Sequence, residues 1–414
     1  MSANPEYLGK SENFIDRLNL EKNGAWIALL VLLCVATYVG WPYFHQPGNL
    51  INIMRQASYT GIIALGMTFV IISGGIDLSV GSTAVFAGSM GVIFMNYLLN
   101  PTKTESAELG NFVKWSAIIG GGILVVSGIA RLLGFKKYTG FILGLVLLSV
   151  PVWRIAISSL MDGLAPMHDS YSLIICTFLV VLFLGIVCGL VNGALIAYGK
   201  IVPFITTLGT MSIYRYLSIY IGDAGEFAAG SNLINKIGMS SIFSFTIWET
   251  RITLPLPVFT LLLLAIILSF ILNSTRYGRY LCAVGSNAKV AEYSAIKVPR
   301  VKFFAYGIIG AMIGVSAFLL AGRFGTVSTN NFGIGFEMDA IAAVIIGGTA
   351  MAGGRGTIWG TVIGCFMLQI IQNMLNMAGM SPYLQGVIKG RRFHAFRHSR
   401  LDGECQLLGQ QGKG

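Results

Sequence analysis

The stretch Ser73-Gly74-Gly75-Ile76-Asp77-Leu78-Ser79 sets two adjacent glycines, a carboxylate and two hydroxyls directly after the apolar run Met67–Ile72. Two chemistries fit. Glycine adopts the positive φ of a helix C-terminus, and Asp77 or Ser79 can accept from the free N–H groups of a following helix, where the helix dipole also favours an acid. Alternatively, the carboxylate contacts a passing solute. Both readings stay open. A phosphate cradle fits poorly, since no lysine follows the glycines and no GxxxxGK[ST] occurs in the chain. Asn330, Asn331, Glu337 and Asp339 form a second cluster, of groups that either hydrogen-bond polyols or cap helices. In the segment 203–210, PFITTLGT, Thr206 and Thr207 can satisfy backbone groups or face a path. Arg215, just beyond, is either an intramembrane charge facing a cavity or an interfacial anchor. No catalytic centre and no metal site are expected. The four histidines show no nucleophile–base pairing, and the six cysteines (34, 176, 188, 282, 365, 405) show neither CxxC nor metal spacing.

These groups need a scaffold, and the composition says which. Of the 414 residues, 55% are hydrophobic and only 11% charged, against about 25% charged in a soluble domain. The apolar runs are about 20 residues long, which points to helices rather than a barrel. We therefore expect an all-α polytopic membrane protein with about 10–12 transmembrane or half-spanning helices, interrupted and rich in small residues. Candidate spans run 26–44, 52–72, 83–99, 115–133, 139–158, 171–198, 203–221, 253–272, 303–321, 339–352 and 357–378. The net charge of +11 does not point to nucleic acid. It concentrates in loops, notably Arg131, Lys136 and Lys137, and Arg276, Arg279, Lys289, Lys297, Arg300 and Lys302, which the positive-inside rule assigns to the cytoplasm. Residues 1–25, polar and without a cleavable signal, are then a cytoplasmic N-terminus.

Two spans are interrupted alike. Residues 339–364 repeat the plan of the first stretch: an apolar run, Gly347-Gly348, a polar break, then a small-residue helix. Paired breaks of this kind occur in transporters built from repeats. The basic segment 273–302 differs in kind: its middle, NAKVAEYSAI, predicts a short helix between Gly285-Ser286 and Pro299, suited to a membrane surface or a soluble partner.

Four motifs stand in one order: GGIDLSVGS, VNGALIAYGKIVPFITTLGTMSIYR, TRYGRYLCAVGSNAKVAEYSAIKV and FGIGFEMDAIAAVIIGGTAMAGGRGTIWGT. In that order the chain resembles, over residues 45–390, the membrane permeases of ABC sugar importers of the ribose, xylose and galactose type. The resemblance implies a multi-pass inner-membrane protein that is not itself an enzyme and binds no cofactor. ATP would sit on a partner ATP-binding subunit, with a periplasmic sugar-binding protein and a second permease copy or paralogue completing the assembly. It implies a permease domain over 26–390, with a cytoplasmic coupling loop at 273–302 in which Gly285, Ser286, Asn287, Lys289 and Glu292 meet the ATPase. It implies a path lined by the interrupted segments, whose candidates are Gly74, Gly75, Asp77, Ser79, Thr206, Thr207, Asn331, Glu337 and Asp339. Residues 100–170 stand as an insertion of extra helices. The basic tail 391–414 departs from the pattern and reads as a frameshifted or truncated final helix. The competing reading is an ion-coupled secondary transporter, for which Asp77, Glu337 and Asp339 are the titratable candidates. The sugar itself is not written in the sequence.

Overall fold

The computed structural model describes residues 20–99, 169–247 and 250–380. The expected spans 115–133 and 139–158, most of the N-terminal stretch and the tail 391–414 lie outside these residues. The architecture is all-α and polytopic. Six helices are long and apolar enough to cross a membrane: α2 (Pro47–Ile72), α3 (Val80–Leu99), α4 (Tyr171–Ala197), α7 (Leu256–Ser274), α10 (Val298–Phe324) and α12 (Ile358–Met377). They are joined by α1 (Leu20–Val39), α5 (Pro203–Ile221), α6 (Asn232–Met239), α8 (Arg276–Ser286), α9 (Ala288–Tyr293) and the half-length α11 (Phe336–Ile346). Four short strands complete the described chain: β1 (Glu226–Ala228), β2 (Ser241–Ile247), β3 (Thr250–Pro255) and β4 (Thr326–Ser328). β1 pairs antiparallel with β4, and β2 with β3.

Small residues set the centre of the bundle. Gly185, Gly189 and Gly193 recur every fourth residue on α4; the first two face Gly310 and Gly314 of α10, and Gly193 faces Phe303 and Tyr306 of the same helix. A Cβ at Gly189 would run into the carbonyl of Tyr306 and lie 2.8 Å from the Gly310 Cα, so the two backbones touch. Polar side chains clasp α12 to α2 at three levels: Asn49–Asn373 (2.8 Å), Gln56–Gln369 (2.7 Å) and Thr68–Thr361 (2.7 Å). At the end of the bundle that carries Asn49, α6 is held by its N-cap Ser231. This hydroxyl accepts from the Leu233 amide and donates to Asp169 Oδ1 (2.5 Å).

The structure departs from or adds to the expected elements in three places. The span placed at 339–352 is the 11-residue helix α11, which stops at Ile346 because Gly347 and Gly348 end it. In the segment 273–302 the expected short helix is α9, opened by Asn287; a further helix, α8, precedes it and closes at Gly285-Ser286, and Pro299 lies in the first turn of α10, where its missing N–H costs nothing. The β2–β3 hairpin and α6, between two apolar runs, were not anticipated.

Candidate functional site

The first helix break is a Schellman turn. Gly74, at φ +79°, gives its amide to Ile71 O (2.9 Å), and Gly75 gives its amide to Val70 O (3.0 Å). The second break repeats it. Gly348, at φ +91°, bonds Ile345 O (2.9 Å), and Thr349 bonds Val344 O (3.2 Å). The internal repeat is thus a repeated capping geometry, with Gly74 equivalent to Gly348 and Ser73 to Gly347, one residue off from a glycine-pair alignment. Gly75 is small for another reason: a Cβ there would sit 2.7 Å from the hydroxyl of Tyr306. That hydroxyl donates to Ile76 O (3.2 Å).

Asp77 is fully buried. Its Oδ1 accepts both the Ser79 amide (2.9 Å) and the Ser79 hydroxyl (2.7 Å). The acid therefore does not cap α3 itself. It makes an Asx turn that fixes the residue preceding the helix, while the Ser79 hydroxyl donates to Asp77 and accepts from Thr83 Oγ1 (3.4 Å) in the first turn of α3. Asn192 of α4 completes the chain by donating from Nδ2 to Ser79 Oγ (2.8 Å). Asp77 Oδ2 and Asn192 Oδ1 are left without protein partners.

The second cluster reaches the same helix end from another side. A Cβ on Gly81, in the first turn of α3, would strike Gly333 O and lie 2.8 Å from Glu337 Oε2. Glu337 and Asp339 occupy the first turn of α11, behind an N-cap glycine with no side-chain bond, so both acids meet a favourable dipole. Asp339 accepts from Gln372 of α12 (3.4 Å). Arg215, half-buried on α5, donates to Thr329 O (3.2 Å) and Phe332 O (2.8 Å). It thereby stations the loop between β4 and α11 against α3.

The structure thus brings Asp77, Ser79, Glu337 and Arg215 around the first turns of α3, a helix that begins inside the bundle. It does not bring Asn331, which is exposed, into that group. Asn330 donates to Ala224 O (3.0 Å). Thr206 and Thr207 are buried and turn back to the carbonyls of Val202 (3.3 Å) and Pro203 (2.9 Å). Sequence reasoning missed Asn192 and Tyr306. The signal for Asn192 was present, as a lone amide inside the apolar run of α4.

The coupling candidates divide by direction. Gly285 faces inward, with no room for a side chain between Ile72 O and Gly354 N. Asn287 caps α9, accepting from the amides of Lys289 (3.0 Å) and Val290 (3.1 Å). Ser286, Lys289 and Glu292 are exposed, beside Val290 at 56% and Tyr293 at 88% exposure. Tyr277 roots the unit: its ring stacks on Phe69 of α2, its hydroxyl donates to Val301 O (3.1 Å), and burial pushes the phenol pKa up, keeping it a donor.

A family model described as branched-chain amino acid transport system / permease component matches residues 49–392. Among curated proteins, the ribose import permease protein RbsC of Bacillus subtilis is 32% identical, over 90% of each chain. The galactose/methyl galactoside import permease protein MglC of Salmonella typhimurium is 30% identical, over 90% of this chain and 91% of its own. RbsC of Haemophilus influenzae is 27% identical, over 92% and 93%. No solved structure matches the chain.

Proposed function

The chain belongs to the branched-chain amino acid transport system / permease component family, and on that premise we propose that it is the permease subunit of an ATP-driven importer for a monosaccharide, a pentose or hexose such as ribose, xylose or galactose. The chain is a multi-pass transport component. In this reading ATP is bound and hydrolysed on a separate subunit, a periplasmic binding protein delivers the sugar, and a second permease copy or paralogue completes the path across the inner membrane.

The observation that carries the reading is the α8–α9 unit. The unit exposes Arg276, Arg279 and Lys289 along with Val290 and Tyr293, while Leu281 and Val284 anchor the inner face at 0% and 2% exposure. Lipid would not solvate Arg276, Arg279, Lys289 and Lys297, and an unpartnered amphipathic patch of this kind suits a soluble subunit. ATP can drive transport only by binding one docked arrangement better than the other, and so shifting which side of the membrane is open. Asp77, Ser79, Glu337 and Arg215 then shape the path by fixing where α3 begins.

Uptake of radiolabelled ribose, galactose or xylose by cells carrying the complete system tests this. Uptake that survives a protonophore but stops on ATP depletion supports it, as does its loss in Lys289→Glu. Uptake that follows the ion gradient instead would make the chain a secondary transporter, with Asp77, Glu337 and Asp339 as its titratable groups.

A further inference from the structure

The two helix breaks and the α8–α9 unit meet at one point. Ile72 O, at the end of α2, has no acceptor role left within its own helix and takes the amide of Gly354 (2.9 Å), from the loop between α11 and α12. The second break therefore caps the helix that precedes the first. Gly285, in the last turn of α8, lies against the same pair. A Cβ there would overlap Ile72 O and come within 2.5 Å of Gly354 N. Gly353, at φ +89°, closes the cluster: its Cβ would meet Gly285 O at 2.9 Å, Ile72 O at 3.1 Å and Gly74 N at 3.2 Å. Three segments distant in sequence are thus in backbone contact, with the Ser286 side chain also against Gly354.

The loop that supplies Gly354 is stiff. Ala350 N bonds Arg355 O (3.0 Å), Gly353 N bonds Ala350 O (3.0 Å), and Gly353 and Gly354 both hold positive φ, which L side chains resist. On the other side, the chain passes from Ile72 through Gly74 to Asp77 within five residues. There the Tyr306–Ile76 and Asp77–Ser79–Asn192 bonds tie it to α10, α3 and α4.

We propose that the junction of Ile72, Gly285 and Gly354 is the transmission point of the transporter: a displacement of the α8–α9 unit moves both helix breaks together, and with them the first turns of α3 and the end of α11. Close-packed backbone transmits a push because it cannot compress, and packed interfaces respond by switching between discrete arrangements. Gly285 and Gly354 are positioning residues; they act through the breaks and touch neither sugar nor nucleotide. The proposal rests on the permease reading above.

The test uses the full complex, the chain co-expressed and co-purified with its ATP-binding subunit and reconstituted with its binding protein. ATP hydrolysed and radiolabelled ribose or galactose imported are measured in the same vesicles. Wild type must import on ATP; if it does not, the permease reading fails before any variant is compared. Gly285→Ala is expected to retain the ATP-binding subunit and ATP hydrolysis while sugar imported per ATP falls about tenfold, within the usual range of coupling between sites. Ser286→Val sets a branched apolar side chain against Gly354 from a partly solvent-facing position, and it is expected to lower the same ratio in monodisperse protein. Gly48→Ala, with nothing within 4 Å of its Cβ, keeps the ratio of wild type. A wild-type ratio in Ser286→Val, or in a folded Gly285→Ala, overturns the proposal. So does loss of the ATP-binding subunit from a monodisperse Gly285→Ala, which would make Gly285 a docking residue.

Discussion

Replacing Asp77 separates its two possible roles, because alanine and asparagine remove different things. Asp77→Ala removes the acceptor of both the Ser79 amide and the Ser79 hydroxyl. The hydroxyl can turn elsewhere, but the amide is buried with its residue at 0% exposure, and an orphaned buried donor costs about 1–3 kcal/mol. Adding the lost hydroxyl bond, at about 1 kcal/mol net, gives a destabilisation of about 2–4 kcal/mol. Asp77→Asn keeps an oxygen at the Oδ1 position and so keeps both bonds. Its amide nitrogen falls at Oδ2, which has no protein partner, in a site where Asn192 Oδ1 also lacks one. The expected cost is about 1 kcal/mol or less, since neutral acceptors bond roughly half as strongly as charged ones. Thermal unfolding of the detergent-solubilised complex and sugar uptake in vesicles read the two effects. Asn should sit near wild type in both, and Ala should fall in both. A stable, monodisperse Asp77→Asn without uptake would refute the reasoning, for it would mean that the charge itself is used and that the Asx turn is incidental.

Three further outcomes follow from the geometry. Gly189→Leu forces α4 away from the Tyr306 carbonyl and is expected to cost at least about 3 kcal/mol, the upper end for overpacking; size-exclusion chromatography should show little monodisperse protein, whereas Ile175→Ala, on the exposed face of α4, should elute as wild type. Arg215→Met leaves Thr329 O and Phe332 O without their donor. Because the guanidinium is half-exposed, water recovers part of the loss, so about 1–3 kcal/mol is expected, with uptake falling more than stability as the loop beside Gly81 loosens. Asn287→Ala removes the α9 cap at a cost of about 1 kcal/mol, and should weaken co-purification of the ATP-binding subunit without changing the yield of the chain.

The long spans were legible because a bilayer demands about 20 apolar residues in succession, and nothing in α2, α4, α10 or α12 competes with that signal. The glycine breaks were legible too, since only glycine tolerates positive φ freely. Where reading along the chain stopped short is instructive. Ser79 lies two residues from Asp77, so a local partner for the acid could be foreseen, yet the readings open from the sequence were a helix cap and a solute contact, and the structure holds an Asx turn. The Asn192 end of the chain is 113 residues away, and no periodicity encodes that meeting. The strands β2 and β3 carry β-branched and aromatic residues in SIFSFTI and TRITLP, but they are flanked by apolar runs, so the period-2 signal was masked by hydropathy.

Gly285 shows why a glycine's meaning depends on what approaches it. Read locally, Gly285-Ser286 looks like the flexible edge of a surface helix, and the substitution that suggests itself is a charge, to disturb docking. The backbone of Ile72 and the amide of Gly354 occupy the space instead, so a charge there would break the bundle's own joint and report nothing about the partner. The docking question belongs to Lys289, Val290 and Tyr293, which face outward. The same logic returns to Asp77: a buried acid invites a role in binding, but its bonds run to Ser79, which sets where α3 starts. The first turns of α3 can follow a displaced break only if the two are rigidly joined, and a carboxylate bonded to the residue before the helix makes that joint.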